Sequence, residues 1–242
     1  MKKLWITSLL LVGIFLTSCG SRGISAEDAG ALFVDRLVYQ KEKNNFAKEF
    51  RDGEQVGKEL DQNSKTFEEN FVKGLSSTGA KVPEKQADQL TNELLQQARE
   101  KATYKIVQID ETKTGATISY YVTGLDLVSA MQEMTRQLVK DTLANPEIAK
   151  DEQKTLEATF SILEERVKSI KIKTDPVELT LRLEKEKGKW FVPDNQKTAV
   201  SNLFMSFISG SKDTNTMNEE LEEALNEVAK EIIDSLDTLP LP

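Results

Sequence analysis

The chain has 242 residues, a formal charge of −8 and no histidine. Its length suits one good-sized domain, or a domain with a helical annex. The acidic balance argues against a nucleic-acid partner, and the lack of histidine removes the commonest neutral-pH base and metal ligand, with the triads and zinc sites that depend on it.

Met1-Lys2-Lys3 opens the chain with positive charge, and Leu4 to Leu16 follows as an apolar run. Leu16-Thr17-Ser18-Cys19-Gly20 then leads small residues into the only cysteine. This is the layout of an export signal. The stretch resembles the signals cut by the bacterial lipoprotein signal peptidase. That resemblance implies a leader over 1–18, cleavage before Cys19, and a diacylglycerol thioether on its sulfur that ties the chain to a membrane. Two other readings stand beside it. A transmembrane anchor needs roughly 20 apolar residues, and this run is well short of that. An ordinary secretory signal leaves Cys19 as an odd free thiol in an oxidising space. With Cys19 spent on lipid, no disulfide is open to the mature domain, and its core must hold by packing alone.

Residues 19–25 read as a short lipidated tether. Ser25-Ala26-Glu27-Asp28 reads as a capped helix start, continued by Ala29, Leu32, Phe33 and Leu37 at spacings of three and four. This helix is expected to run to about Phe50, with Phe46 and Phe50 on a related stripe, until Gly53 interrupts it. A second helix is expected from about Glu54 to Leu75 on Val56, Leu60, Ser64, Phe67, Phe71 and Leu75, ended by Ser76-Ser77-Thr78-Gly79. Pro83 opens a third, which carries Ala87, Leu90, Leu94 and Ala98 inward and ends near Lys101.

At Thr103 the period changes to two. Tyr104, Ile106, Val107 and Ile109 mark a strand whose alternation slips once between Ile106 and Val107, as at a bulge. After a turn over Glu111 to Gly115, Ala116, Ile118, Tyr120 and Val122 alternate with polar or outward residues, which predicts a half-buried strand and an antiparallel hairpin. Asp126 caps a fourth helix that ends at Asn145-Pro146. A fifth follows from Glu147 or Asp151 to Lys168. The pair reads as an αα insertion between neighbouring strands. Ser169 to Glu186 is expected to be extended, with Pro176 marking a bulge or an edge. Glu186-Lys187-Gly188-Lys189 turns the chain into Trp190-Phe191-Val192-Pro193, a second hairpin.

Asp194 to Ile208 reads as helix, with Ala199, Leu203 and Phe204 or Phe207 inward. Ser209 to Asn215 reads as a polar linker. Thr216-Met217-Asn218-Glu219 matches a capping box. It opens an acidic helix with a narrow stripe of Leu221, Leu225, Val228, Ile232 and Leu236. The domain reading is therefore leader 1–18, tether 19–25, an α+β domain over 26–208, and an annex over 209–242. The fold class is α+β, with a four-stranded antiparallel curved sheet packed by N-terminal helices.

Two further stretches carry a resemblance: Ile118-Ser119-Tyr120-Tyr121-Val122-Thr123-Gly124-Leu125-Asp126 leading straight into a helix, and Lys187-Gly188-Lys189-Trp190-Phe191-Val192 followed by the Asn195 to Ile208 helix. Together with the Cys19 signal they resemble the Firmicutes cell-surface lipoproteins that carry the DUF5105 domain. The resemblance implies an NTF2-like or cystatin-like fold over roughly Ser25 to Gly210, and a place on the outer face of a Gram-positive cytoplasmic membrane. It carries no established chemistry, and the last helix stands outside it.

Candidate functional groups are few. Asp110 with Glu111, and Glu164 with Glu165, are paired carboxylates, yet neither sits in a calcium-type loop and helix neighbours point apart. Lys168, Lys171, Lys173, Lys185, Lys187 and Lys189 make the second hairpin locally basic, which reads as edge protection or as a contact for wall polymer or lipid headgroups. Tyr104, Tyr120 and Trp190 read as core, or as the lining of an apolar pocket in the curve of the sheet. The Leu221 to Leu236 stripe reads as docked on its own domain or as a partner surface. No catalytic residue, metal ligand or cofactor is expected. The expectation is a non-catalytic, membrane-tethered module for a small apolar ligand or an envelope protein. A chaperone-like or immunity-type envelope role, and a hydrolase built on carboxylates alone, are the alternatives.

Overall fold

A computed structural model describes residues 23–75 and 84–237. Cys19, the Ser76-Ser77-Thr78-Gly79 turn and Pro83 lie outside the described residues, as does the side chain of Leu236.

Helix α1 (Ala26–Leu37) starts as expected, with the Ser25 hydroxyl accepting from the Asp28 N–H at 3.1 Å. It does not reach Phe50. Gln40 and Glu42 take positive φ, and the chain turns before α2 (Lys43–Glu49). Packing explains the break. The turn brings Phe46 and Phe50 back onto Phe33, with ring centroids at 6.2 and 6.0 Å. All three rings are at most 1% exposed. One straight helix would carry Phe33 away from the other two. Helices α3 (Gly53–Leu75) and α4 (Glu84–Lys101) follow where their periodicity puts them. Arg36 of α1 is buried, and it donates to the Gly57 carbonyl and to Asp61 of α3.

The sheet has four antiparallel strands in sequence order: β1 (Thr103–Glu111), β2 (Gly115–Thr123), β3 (Val177–Glu186) and β4 (Lys189–Phe191). The expected bulge is present, with the register shifting between Ile106 and Gln108 and Val107 left 44% exposed. Ile118, Tyr120, Val122, Leu181 and Leu183 form the inward face. Burying each such aliphatic side chain contributes about 1.5–3 kcal/mol. The inserted pair is α5 (Leu127–Ala144), capped by Asp126, and α6 (Glu152–Lys168), capped by Asp151.

Two expectations need correction. The extended stretch before β3 does not join the sheet from Ser169 onward. Lys173 N–H bonds to the Gly124 carbonyl and Asp126 N–H to the Lys171 carbonyl, so the segment is tied to the β2–α5 junction and Ile172 stays 45% exposed. The linker after α7 (Lys197–Ser209) is not a solvated spacer either. Ser209, Gly210 and Ser211 are buried. A Cβ on Gly124 would lie 1.9 Å from the Ser206 carbonyl oxygen and 2.8 Å from the Gly210 nitrogen, so this backbone crossing requires glycine. Helix α8 (Thr214–Asp237) therefore starts early, with Asp213 accepting from the Thr216 N–H at 2.8 Å in place of a capping box opened by Thr216.

Candidate functional site

Helices α3, α5, α7 and α8 enclose a cleft of about 580 Å³. Each supplies part of an apolar stripe. Phe67 and Phe71 come from α3, Met131 from α5, Phe204 and Met205 from α7, and Met217 and Leu221 from α8. Phe67 stacks with Phe71 at 5.6 Å and meets Phe204 edge-on at 6.2 Å. Three of the chain's five methionines line this one space, and unbranched thioethers adapt to irregular apolar shapes. Thr66, Asn70, Ser201, Thr214 and Asn218 complete the lining with neutral donors and acceptors. Among the described residues, none that lines it is ionisable. The arrangement can bury an apolar body and hydrogen-bond one polar end. It offers no positioned acid, base or activated nucleophile.

Helix α8 forms one wall because it docks on its own domain. Gln132 of α5 donates to the Ala224 carbonyl and to Glu227, both at 3.1 Å. Arg136 forks onto Glu231 at 2.8 and 2.9 Å. Lys173 meets Glu220 at 2.8 Å, and Ser211 donates to the same carboxylate at 2.6 Å. The hydrogen bond to Arg136 holds the Glu231 carboxyl below the usual range. The stripe expected as a partner surface is split by this docking. Val228 is 1% exposed, Leu221 and Ile232 are half-buried, and Leu225 points outward at 37% exposure. The inward face runs through Met217, Leu221, Ala224 and Val228. Ala224 is too small to mark a hydrophobic stripe, yet its size permits close approach to α5.

Tyr104, Tyr120 and Trp190 sit elsewhere, in the packed curve of the sheet. Tyr120 and Trp190 are at most 1% exposed. The Tyr104 and Tyr120 rings lie 6.1 Å apart, and Tyr39 joins them 6.4 Å from Tyr104. Each hydroxyl is spent on a backbone carbonyl: Tyr39 on Ala102, Tyr104 on Ala31 and Tyr120 on Gly30. Burial pushes the Tyr39 phenol up to about 12 and raises Tyr104 and Tyr120 further. None of the three expected residues lines the cleft. The sequence pattern does not point to the cleft, because Phe67, Phe71 and Phe204 read as inward residues of separate helices, and Met205 and Met217 belong to none of the stripes. The clustering of methionine on helices near the C-terminus was the available signal.

The carboxylate pairs are solvated. Asp110 and Glu111 are exposed on β1, and Glu164 pairs with Lys168 at 2.7 Å while Glu165 faces solvent. Among the described residues no cluster of acidic or cysteine side chains is arranged for a metal, and no helix is long and apolar enough to cross a membrane. The lysines separate as well. Lys168 and Lys173 are paired, Lys185 lies over the Trp190 ring, and Lys171, Lys187 and Lys189 are exposed.

The family profile that matches the chain is described as "Domain of unknown function (DUF5105)" and covers residues 18–208. Helix α8 lies beyond it, yet supplies a wall of the cleft. No curated protein matches. The crystal structure of a candidate lipoprotein, ycdA, from Bacillus subtilis resembles the fold with a TM-score of 0.56. Sequence identity to it is 15%, over 75% of this chain and 55% of that one. The chain thus spans just over half the length of that protein, and likeness at this identity speaks of the fold alone.

Proposed function

The chain belongs to the DUF5105 family, and on that premise we propose that it is a non-catalytic lipoprotein that holds an apolar ligand at the outer face of a Gram-positive cytoplasmic membrane. The observation that carries this reading is the four-helix cleft, apolar in its walls and free of ionisable groups among its described lining residues. In this reading residues 1–18 are a leader of Firmicutes type, Cys19 carries diacylglycerol, residues 19–25 are the tether, and residues 26–208 form an NTF2-like domain. The annex over 209–242 supplies α8, whose Thr214, Met217, Asn218 and Leu221 wall the cleft. The ligand has an irregular hydrocarbon body, suited to Met131, Met205 and Met217, and one neutral polar end for the rim. Support for the anchor is the Cys19 signal together with the lipoprotein description of the structural relative.

The test is photo-crosslinking in intact cells with a diazirine-bearing fatty acid, followed by peptide mapping. Adducts on the peptides that hold Phe71, Met205 and Met217 are expected, and Met205→Glu should remove them. Adducts spread over the surface, or unchanged by that substitution, would sink the cleft as the binding seat. Cys19→Ser should release the chain from the membrane fraction. If it stays bound, the anchor reading fails independently.

A further inference from the structure

We infer that the β3–β4 turn is a membrane-facing contact that seats the domain, in one orientation, on anionic lipid headgroups. This rests on the lipid-anchored reading above.

The first described residues lie against this turn. Trp190 Nε1 donates to the Ile24 carbonyl at 3.1 Å, and Lys185 Nζ reaches the same oxygen at 3.4 Å. A Cβ on Gly23 would sit 2.4 Å from the Gly188 carbonyl oxygen. The first described residues, Gly23 and Ile24, therefore lie beside Lys187 and Gly188. Four residue steps separate Gly23 from Cys19, which is a reach of no more than about 15 Å. A lipid on Cys19 would hold this end of the fold, the tip included, close to the headgroups.

The tip is built to present positive charge. Lys187 and Gly188 both take positive φ, at 50° and 84°, the conformation of a tight two-residue hairpin. Lys187 and Lys189 are exposed and make no ion pair among the described residues. Lys113 adds to them from the adjoining β1–β2 turn, which is joined here by Lys185 N–H to the Thr114 carbonyl. The carboxylates of the strand end are engaged: Glu186 with Arg51 at 2.7 Å and Glu184 with Arg182 at 2.8 Å. Glu27 and Asp28 also lie at this end, on the first turn of α1, as does the exposed Glu111 at the end of β1.

The acidic excess sits at the other end. Helix α8 carries Glu219, Glu220, Glu222, Glu223, Glu227 and Glu231. It is tied by Glu220 to Lys173, just before β3 begins. The length of β3 puts that point about 30 Å from the turn. An anionic leaflet attracts a lysine at its surface and repels the glutamates. Both forces give the same orientation, with the lysine tip down and α8 away from the membrane.

Trp5 leaves with the leader, so Trp190 is the only tryptophan of the mature chain. Energy transfer from Trp190 to a dansyl lipid therefore reads the height of the tip. The lipidated chain is reconstituted in vesicles of phosphatidylcholine, or of equal parts phosphatidylcholine and phosphatidylglycerol. Transfer should be higher on the anionic vesicles and fall with added salt. Lys187→Glu with Lys189→Glu should lower the docked-to-undocked ratio by more than about tenfold. Lys212→Glu with Lys230→Glu makes the same charge change elsewhere and should leave it unaltered. Equal transfer on both lipids, or equal loss from both variant pairs, overturns the inference. Intact mass separates the two failures. Protein without diacylglycerol sinks the anchor, and lipidated protein without lipid-dependent transfer sinks the docking alone.

Discussion

The indole Nε1 of Trp190 donates to the carbonyl of Ile24 at 3.1 Å, and the bond couples the exit of the chain to the last strand of the sheet. Trp190 is 1% exposed, and without its donor the Ile24 carbonyl keeps only the longer contact from Lys185 among the described residues. Trp190→Phe should cost about 1–3 kcal/mol in denaturant unfolding. Protease cutting near Gly23 should accelerate. Unchanged cutting would show that the bond does not hold the tether.

Asp61 accepts from Arg36, whose guanidinium is almost wholly buried. That hydrogen bond holds the Asp61 carboxyl below the usual carboxylate range. A depressed folded-state pKa gives stability that is full above the unfolded value and lost as pH falls through the folded one. Asp61→Asn should destabilise by about 1–3 kcal/mol near neutral pH, and the gap to the parent should close in acid. A gap that is constant with pH in thermal melts would rule this out.

Gly124 has no room for a side chain, because the intruding atoms are backbone and cannot rotate away. Gly124→Ala should cost about 1–3 kcal/mol or more, measured by chemical denaturation. Its effect should centre on the α7–α8 junction in hydrogen exchange. A neutral substitution would mean that this crossing is looser than the structure has it.

Val228 and Leu225 sit on the same helix and should behave oppositely. Val228→Asp buries a charge against α5 and should release α8, raising amide exchange along Thr214–Asp237. Leu225→Asp, on the outer face, should stay within about 0.5 kcal/mol of the parent. Equal effects from both would contradict the docking. Loss of α8 should also open the cleft and weaken crosslinking at Met205.

Three of the four tyrosines are held protonated by burial. Their folded-state pKa lies above the unfolded value, so the stabilisation is full below pH 10.0 and is lost as pH rises toward about 12 for Tyr39. In an alkaline titration the phenolate absorbance of these three should appear together with loss of near-ultraviolet circular dichroism. Ionisation of all tyrosines in one step with the fold intact would refute it.

Much of the architecture was legible locally. Alternation of Ala116, Ile118, Tyr120 and Val122 and the four-three spacing of the helices depend only on which residues must leave water, so strands, helices and the bulge at Val107 could be read from one dimension. The Cys19 signal is likewise a linear pattern, and it speaks to where the protein works. The break between α1 and α2 was not legible, because it packs Phe46 and Phe50 against Phe33, a contact between segments. Nor was the inward face of α8, which is chosen by how closely Ala224 lets it approach α5. The cleft follows from the same cause. Each of its walls is an ordinary apolar stripe, and only the packing of four helices decides which side chains are left facing an unfilled space. The Ile24–Trp190 bond, which sets the β3–β4 turn beside the first described residues, joins residues far apart in sequence and could be decided by tertiary structure alone.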